Sequence, residues 1–226
     1  MRPFPFYYEE LPTFQRVIAS LEERDFGVDW EDSWFTVCRR NNIYQIWNKE
    51  YIEALSKEIL NLVGEGFVLE VAAGDGMLSH WLKEYGVNIK ATDNMSWHKE
   101  LPNKGTPIEL HSEVEALDAL EAIRKYKLRM VIVSWIPYGS KLDCEILDEN
   151  PEYLILIGEG YGGCTGSSKF WGAGWDEDDG TLAYWRQKGY SEEDLDVDIW
   201  NICRTDYPWH SNHGSTTLYR KMGVEV

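Results

Sequence analysis

The chain is poor in cations. Lys plus Arg number 22 against 39 Asp plus Glu, a net charge of -17 over 226 residues. A surface of that sign repels phosphate backbones, so nucleic acid is disfavoured as a partner, and the short basic cluster Arg39 and Arg40 does not offset it. Long apolar runs are missing as well: no window approaches the roughly 20 apolar residues that cross a bilayer, and no membrane partner is expected. Met1 to Glu10 holds one basic residue and prolines among its aromatics, with no uninterrupted apolar stretch like a signal-peptide core; it reads as mature cytoplasmic sequence. Cysteine is sparse. Cys38, Cys144, Cys164 and Cys203 are widely spaced and form no C-x-x-C pair, which suits reduced thiols better than a disulfide framework or a zinc site, and no structural metal is expected. Internal repeats and low-complexity linkers are absent too, which leaves a single globular domain as the reading for this length.

What is present is enough apolar material for a core, 43% hydrophobic and 14% aromatic. Two organisational halves are legible. Residues 1–62 read as a helical N-terminal extension: Phe14, Val17, Ile18 and Leu21 fall at helical spacing, and Trp47, Tyr51, Leu55, Ile59 and Leu62 do so again. Between them the aromatic, acidic stretch Phe26 to Phe35, with Trp30 and Trp34, either caps a cleft or closes one end of the core. From residue 63 onward short apolar runs alternate with helical segments, as in a parallel sheet: Phe67 to Val71, Val87 to Thr92, Ile108 to Leu110, Leu128 to Trp135 and Tyr153 to Gly158. Met77, Leu78, Trp81, Leu82 and Tyr85 repeat at helical spacing, and Gly86 supplies the stop. A further helix is expected from Thr181 to Lys188. Asp198 to Arg204 and Ser215 to Lys221 read as two strands forming an antiparallel pair.

Val68 to Gly76 reads V-L-E-V-A-A-G-D-G, a buried strand running into a glycine turn that opens a helix. Glycines there allow close approach of a ligand to the backbone and leave amides at a helix N-terminus, which implies a nucleotide-like ligand beyond the carboxyl ends of the strands. Two residues bear on which one. A dinucleotide fingerprint places glycine or alanine three positions after its second glycine, where this chain has Ser79. Glu70, an acid inside the strand, is unfavourable to a pyrophosphate and favourable to an ammonium group, such as the amino group of the methionine part of S-adenosylmethionine (SAM).

E-V-A-A-G-D-G resembles the E/D-x-G-x-G-x-G signature of class I SAM-dependent methyltransferases. The resemblance implies an α/β Rossmann-like sheet, mostly parallel with an antiparallel C-terminal strand, covering about Leu60 to Arg220. It implies SAM as cofactor, held by Glu70, Ala72, Gly74 and Gly76 around the turn. Ala72 stands where the family has its first glycine, a departure expected to enlarge the turn slightly. Asp93, in A-T-D-N-M, falls where the family has the acid that accepts the ribose hydroxyls, with Asn94 and Met95 bordering adenine; read without the family, Asp93 is a helix N-cap or turn residue. Glu115, with Asp118 close behind, is the acid expected near the adenine amino group, although Asp118 also suits a cap for the helix Ala119 to Tyr126. Ser134 to Tyr138, at the end of the fourth strand, would line the reaction site. S-W-I-P-Y resembles the N-I-P-Y or D-P-P-Y motif of amino-methyltransferases acting on bases, but Trp135 stands where the amide or acid should be. With the acidic charge, this points to a small-molecule or protein acceptor.

Methyl transfer needs alignment and water exclusion more than a dedicated base. If a base is used, Tyr138, His210 and His213 are the candidates, Tyr138 foremost. The glycine-rich segment Gly158 to Trp175 suggests a closely approached substrate wall, Cys164 within it reads as inert, and the acidic run Asp176 to Asp179 as a solvated turn. Two rival readings stand beside the enzyme: a SAM-fold protein that binds or scaffolds without catalysis, for which the Ala72 and Trp135 departures speak, and a nicotinamide or flavin oxidoreductase, against which Glu70 and Ser79 speak.

Overall fold

The computed structural model describes residues 10–23, 33–96, 113–160, 165–172, 182–206 and 213–223. Helices α1 (Phe14–Glu22), α2 (Trp34–Arg40) and α3 (Lys49–Val63) precede the sheet. Each begins where a side chain satisfies a first-turn amide: Thr13 for α1, Ser33 for α2 and Asn48 for α3. There follow β1 (Val68–Val71), α4 (Met77–Glu84), β2 (Ile89–Asp93), β3 (Glu115–Ala116), α5 (Ala119–Tyr126), β4 (Met130–Ser134), α6 (Leu142–Asp148) and β5 (Tyr153–Glu159). The chain closes with α7 (Ser168–Trp171), α8 (Tyr184–Gln187), β6 (Tyr190–Asp194), a 3-10 turn at Asp198–Trp200 and β7 (Gly214–Lys221).

The strands form one seven-stranded sheet in the order β3-β2-β1-β4-β5-β7-β6. β1 to β5 run parallel, with Val68 opposite both Ile89 and Met130, and Met130 opposite Tyr153. β7 runs antiparallel between β5 and β6, with Leu154 opposite Tyr219 and Glu193 opposite Leu218. This is the mostly parallel Rossmann-like sheet with an antiparallel C-terminal strand that the class I resemblance implies.

Both faces of the sheet are covered, which is why its central strands are largely apolar on both sides, with the buried Glu70 of β1 as an exception. Val68, Met130, Ile132, Tyr153 and Ile155 pack under α3 and α4. Leu69, Val71, Val131, Val133, Leu154 and Leu156 face α5 and α6. Helix α3 therefore belongs to the sheet's own core. The separate part of the N-terminal region is α1 and α2, whose Val17, Leu21, Trp34 and Cys38 form a cluster with Ile43, Ile46 and Ile202.

The tail departs from expectation. Residues 198–204 form no strand with β7; β6, at 190–194, takes that place. Asn201 to Asp206 is drawn instead to the connection between α2 and α3: Ile46 N–H donates to the Ile202 carbonyl at 2.8 Å and Arg204 N–H to the Tyr44 carbonyl at 3.0 Å. The helix expected from Thr181 is the short α8, Thr181 itself lying outside the described residues, as do 108–110, Trp30, Cys164, Asp176 to Asp179 and His210.

The loop after β4 is fixed by Asp143, fully buried near the start of α6. Its carboxylate accepts from the Ser167 amide at 2.6 Å, the Ser167 hydroxyl at 3.0 Å and the Cys144 amide at 2.7 Å. Residues 165–167 then bracket the loop, through Gly166 N–H to the Ile136 carbonyl and Gly139 N–H to the Gly166 carbonyl. Asp143→Ala strands these buried donors, and a loss of about 2–4 kcal/mol is expected in denaturant unfolding.

Candidate functional site

The carboxyl ends of β1, β2 and β4 open into a cavity of about 590 Å³, within the roughly 300–1,000 Å³ of small-ligand sites. After each of these strands a non-glycine residue takes a left-handed backbone: Ala72 at φ 51°, Met95 at 58° and Trp135 at 53°. Such conformations persist where surrounding contacts over-determine them, and they cluster at ligand sites. Ala72 shows why the family signature has glycine there. The residue takes a left-handed conformation that glycine adopts freely, at a cost of about 1–2 kcal/mol.

The turn is tied by carboxylates. Asp93, ending β2, accepts from Gly74 N–H at 2.9 Å and Met95 N–H at 2.6 Å. Asp75 accepts from Met77 N–H at 3.1 Å and Glu70 from Ser79 N–H at 3.1 Å, with the Ser79 hydroxyl also on Glu70. The Ala73 and Gly76 amides donate to the Thr92 and Ala73 carbonyls. The amides of Ala73, Gly74, Gly76, Met77 and Ser79 are thus engaged within the protein, where a dinucleotide turn would offer such groups to a pyrophosphate. Above Gly74 there is open space, with nothing within 4 Å of where a Cβ would stand.

The described lining carries Glu70, Asp75, Asp93, Asp118 and Glu145, and no Lys, Arg or His. Burial pushes the Glu70 carboxyl up to about 8, against the hydrogen bonds from Ser79 and with the help of the Asp75 and Asp93 charges. Aromatic walls come from Tyr44, Trp47, Trp81 and Trp135.

Of the residues expected at a site, Glu70, Ala72, Gly74, Asp93, Asn94, Ser134 and Trp135 lie in this lining. Gly76 and Met95 stand beside it, Gly76 as the N-cap of α4 and Met95 through its amide on Asp93. Glu115 lies elsewhere. It sits within β3 rather than after it, and Lys125, Lys90 and the Tyr126 hydroxyl hold its carboxyl down to about 2. Asp118 lines the cavity instead, while its Oδ1 caps α5 through Leu120 N–H at 3.0 Å. Tyr138 is 65% exposed and outside the lining, which its neighbour Pro137 joins. The described part of Gly158 to Trp175 also stays outside, Thr165 pairing with Pro137 behind the wall.

Sequence reasoning missed the roof. Asn42 to Trp47, the connection between α2 and α3, contributes six consecutive lining residues, whereas Trp34, in the stretch read as capping a cleft or closing one end of the core, is packed in the core with its indole on the Cys203 carbonyl. Gln45 stands at the centre of this roof: its Oε1 accepts from Trp135 Nε1 at 3.1 Å. Periodicity gives no signal for such a loop; only the run of polar and aromatic residues between two apolar stripes marks it.

No family model and no curated protein matches the chain. Among solved structures, a putative S-adenosylmethionine dependent methyltransferase from Listeria monocytogenes is similar at 14% identity and TM-score 0.41, over 77% of this chain and 100% of that one. Precorrin-6y C5,15-methyltransferase from Geobacter metallireducens is similar at 13% identity and TM-score 0.40, over 75% and 88%. The 1,6-didemethyltoxoflavin-N1-methyltransferase of Burkholderia thailandensis, with 1,6-didemethyltoxoflavin and S-adenosylhomocysteine bound, is similar at 12% identity and TM-score 0.40, over 76% and 79%.

A raised acid has a defined pH signature. Glu70 is protonated more readily in the fold than in the open chain, so its contribution to stability is complete below about pH 4.5 and is lost as pH rises through about 8. Glu70→Gln keeps an acceptor for Ser79 and removes this titration. Denaturant unfolding at about pH 5 and about pH 8 should show the variant losing less stability than the parent, by on the order of 4 kcal/mol.

Proposed function

We propose that the protein is a SAM-dependent methyltransferase acting on a small molecule or a protein side chain. The observation that carries the reading is the charge and wiring of the cavity: the amides of Ala73, Gly74, Gly76, Met77 and Ser79 are committed internally, and the described lining presents carboxylates without a cation. A pyrophosphate meets repulsion there. A ligand bearing a sulfonium and an ammonium meets attraction, and the same charge disfavours a phosphate-bearing acceptor.

Bound in the cavity, SAM supplies a methyl group on a good leaving sulfur, to be transferred in line to an acceptor. Asp93 is the acceptor for the ribose hydroxyls; both its oxygens are already held by backbone amides, so its carboxylate is oriented before any ligand arrives. Asp75 and Asp93 supply negative potential at the turn, while Glu70, its carboxyl pushed up to about 8 by burial, braces the start of α4 through Ser79. Asp118 borders the adenine end in place of Glu115. Tyr44, Trp47, Trp81 and Trp135 exclude water, which is most of what this chemistry asks of a protein. Tyr138, outside the lining, carries no assigned base role. Localisation in the cytoplasm fits the reading, and no helix among the described residues is long and apolar enough to cross a membrane.

Two measurements test it. Asp93→Ala should weaken S-adenosylhomocysteine binding about 10- to 100-fold in calorimetry, with thermal unfolding as the control for the lost Gly74 tie. Methyl-labelled SAM, incubated with separated metabolite, protein and nucleic-acid fractions, should label the first or second. Label in nucleic acid alone overturns the acceptor class, and binding without transfer to any fraction favours the non-catalytic scaffold.

A further inference from the structure

Behind the roof, Arg204 lies against three rings. Its guanidinium carbon is 4.6 Å from the centroid of Tyr44, 5.3 Å from Trp135 and 5.7 Å from Phe35. These rings come from separate segments: Phe35 from α2, Tyr44 from the roof and Trp135 from the loop after β4. In a chain of net charge -17, Arg204 forms no ion pair among the described residues, and its buried Nε has no hydrogen-bond partner there. The rings are its counter-charge, an arrangement that favours a planar, weakly hydrated cation over a lysine ammonium. Its backbone is engaged too, through its own N–H on the Tyr44 carbonyl.

Tyr44 and Trp135 line the cavity, and they are joined by more than the cation. Their rings lie 5.8 Å apart, and Trp135 Nε1 holds the roof residue Gln45. The roof is joined to residues 201–206 by backbone bonds from Ile46 N–H to the Ile202 carbonyl and from Arg204 N–H to the Tyr44 carbonyl. Among the side chains there, Gln45 Nε2 and both amide atoms of Asn201 are buried without a hydrogen-bond partner among the described residues, the Tyr51 hydroxyl near Gln45 being engaged by Thr216.

We infer that Arg204 is a positioning residue: its guanidinium, clasped by Phe35, Tyr44 and Trp135, holds the Asn42 to Trp47 roof against the loop after β4 and so sets the wall against which the acceptor must lie. The role of that wall rests on the proposed methyltransferase reading; the clasp does not.

Hydrogen exchange on the full chain without any ligand tests the clasp. In Arg204→Ala, amides of the roof should exchange about tenfold faster while those of β1 and β4 keep their rates, and millimolar methylguanidinium should restore the slow exchange. Arg204→Lys, which keeps the charge without the plane, should fall between. Unchanged roof exchange in Arg204→Ala overturns the inference, and so does acceleration that spreads through β1 and β4 or that methylguanidinium leaves untouched, since both mark a residue of general packing. If Arg204→Ala does not fold, Arg204→Lys decides: roof exchange equal to the parent's overturns the inference, and faster exchange confined to the roof supports it. Dissociation of S-adenosylhomocysteine is then timed in the same variants. Faster release that methylguanidinium reverses extends the clasp to ligand retention, while failure of the parent to bind S-adenosylhomocysteine overturns the cofactor reading and leaves the exchange result standing.

Discussion

Three carboxylates, Glu70, Asp75 and Asp93, hold the turn between β1 and α4, and the character of the cavity depends on them. Asp93 ties Gly74 to the end of β2, Asp75 and Glu70 take the first amides of α4, and Ala72 is held in a left-handed backbone between these ties. A helix N-terminus left open invites an anion. Here the Met77 amide is taken by the half-buried Asp75 and the Ser79 amide by the buried Glu70. The same strand-turn-helix geometry that serves a pyrophosphate in other doubly wound sheets here opens on a described lining that carries acids and no Lys, Arg or His.

Much of this was legible in the sequence because it is local. A strand of V-L-E-V running into A-A-G-D-G and then into a helix stripe is contained in a few turns of chain, and Asp93 follows from the next strand's end. Of the two acids the sequence offers after the third strand, Asp118 rather than Glu115 lines the cavity; β3 has only two residues and gives no apolar run to locate its end. β6 was missed for a related reason: Ser191 to Asp194 is polar and exposed at the sheet's edge, so the run has no buried face to reveal it. The apolar stretch at 198–204 was taken for a strand because its burial comes from a different partner, the roof.

The roof itself was out of reach of pattern reading. Tyr44 and Gln45 have no period to betray them, and their place over the cavity is set by contacts with Trp135 and Arg204, far away in the chain. Trp135 was noticed as a departure from an amino-methyltransferase motif. Its indole instead draws an amide, that of Gln45, to the same neighbourhood from the N-terminal side. The two halves of the chain meet at this point, on the wall of the cavity.

The account stands on the cavity taking SAM rather than a dinucleotide. Calorimetric titration of the parent protein with SAM, S-adenosylhomocysteine and NAD tests this most directly. Dissociation constants on the order of micromolar for the first two, with no heat from NAD, are the predicted result; binding of NAD, or of none of the three, would contradict it.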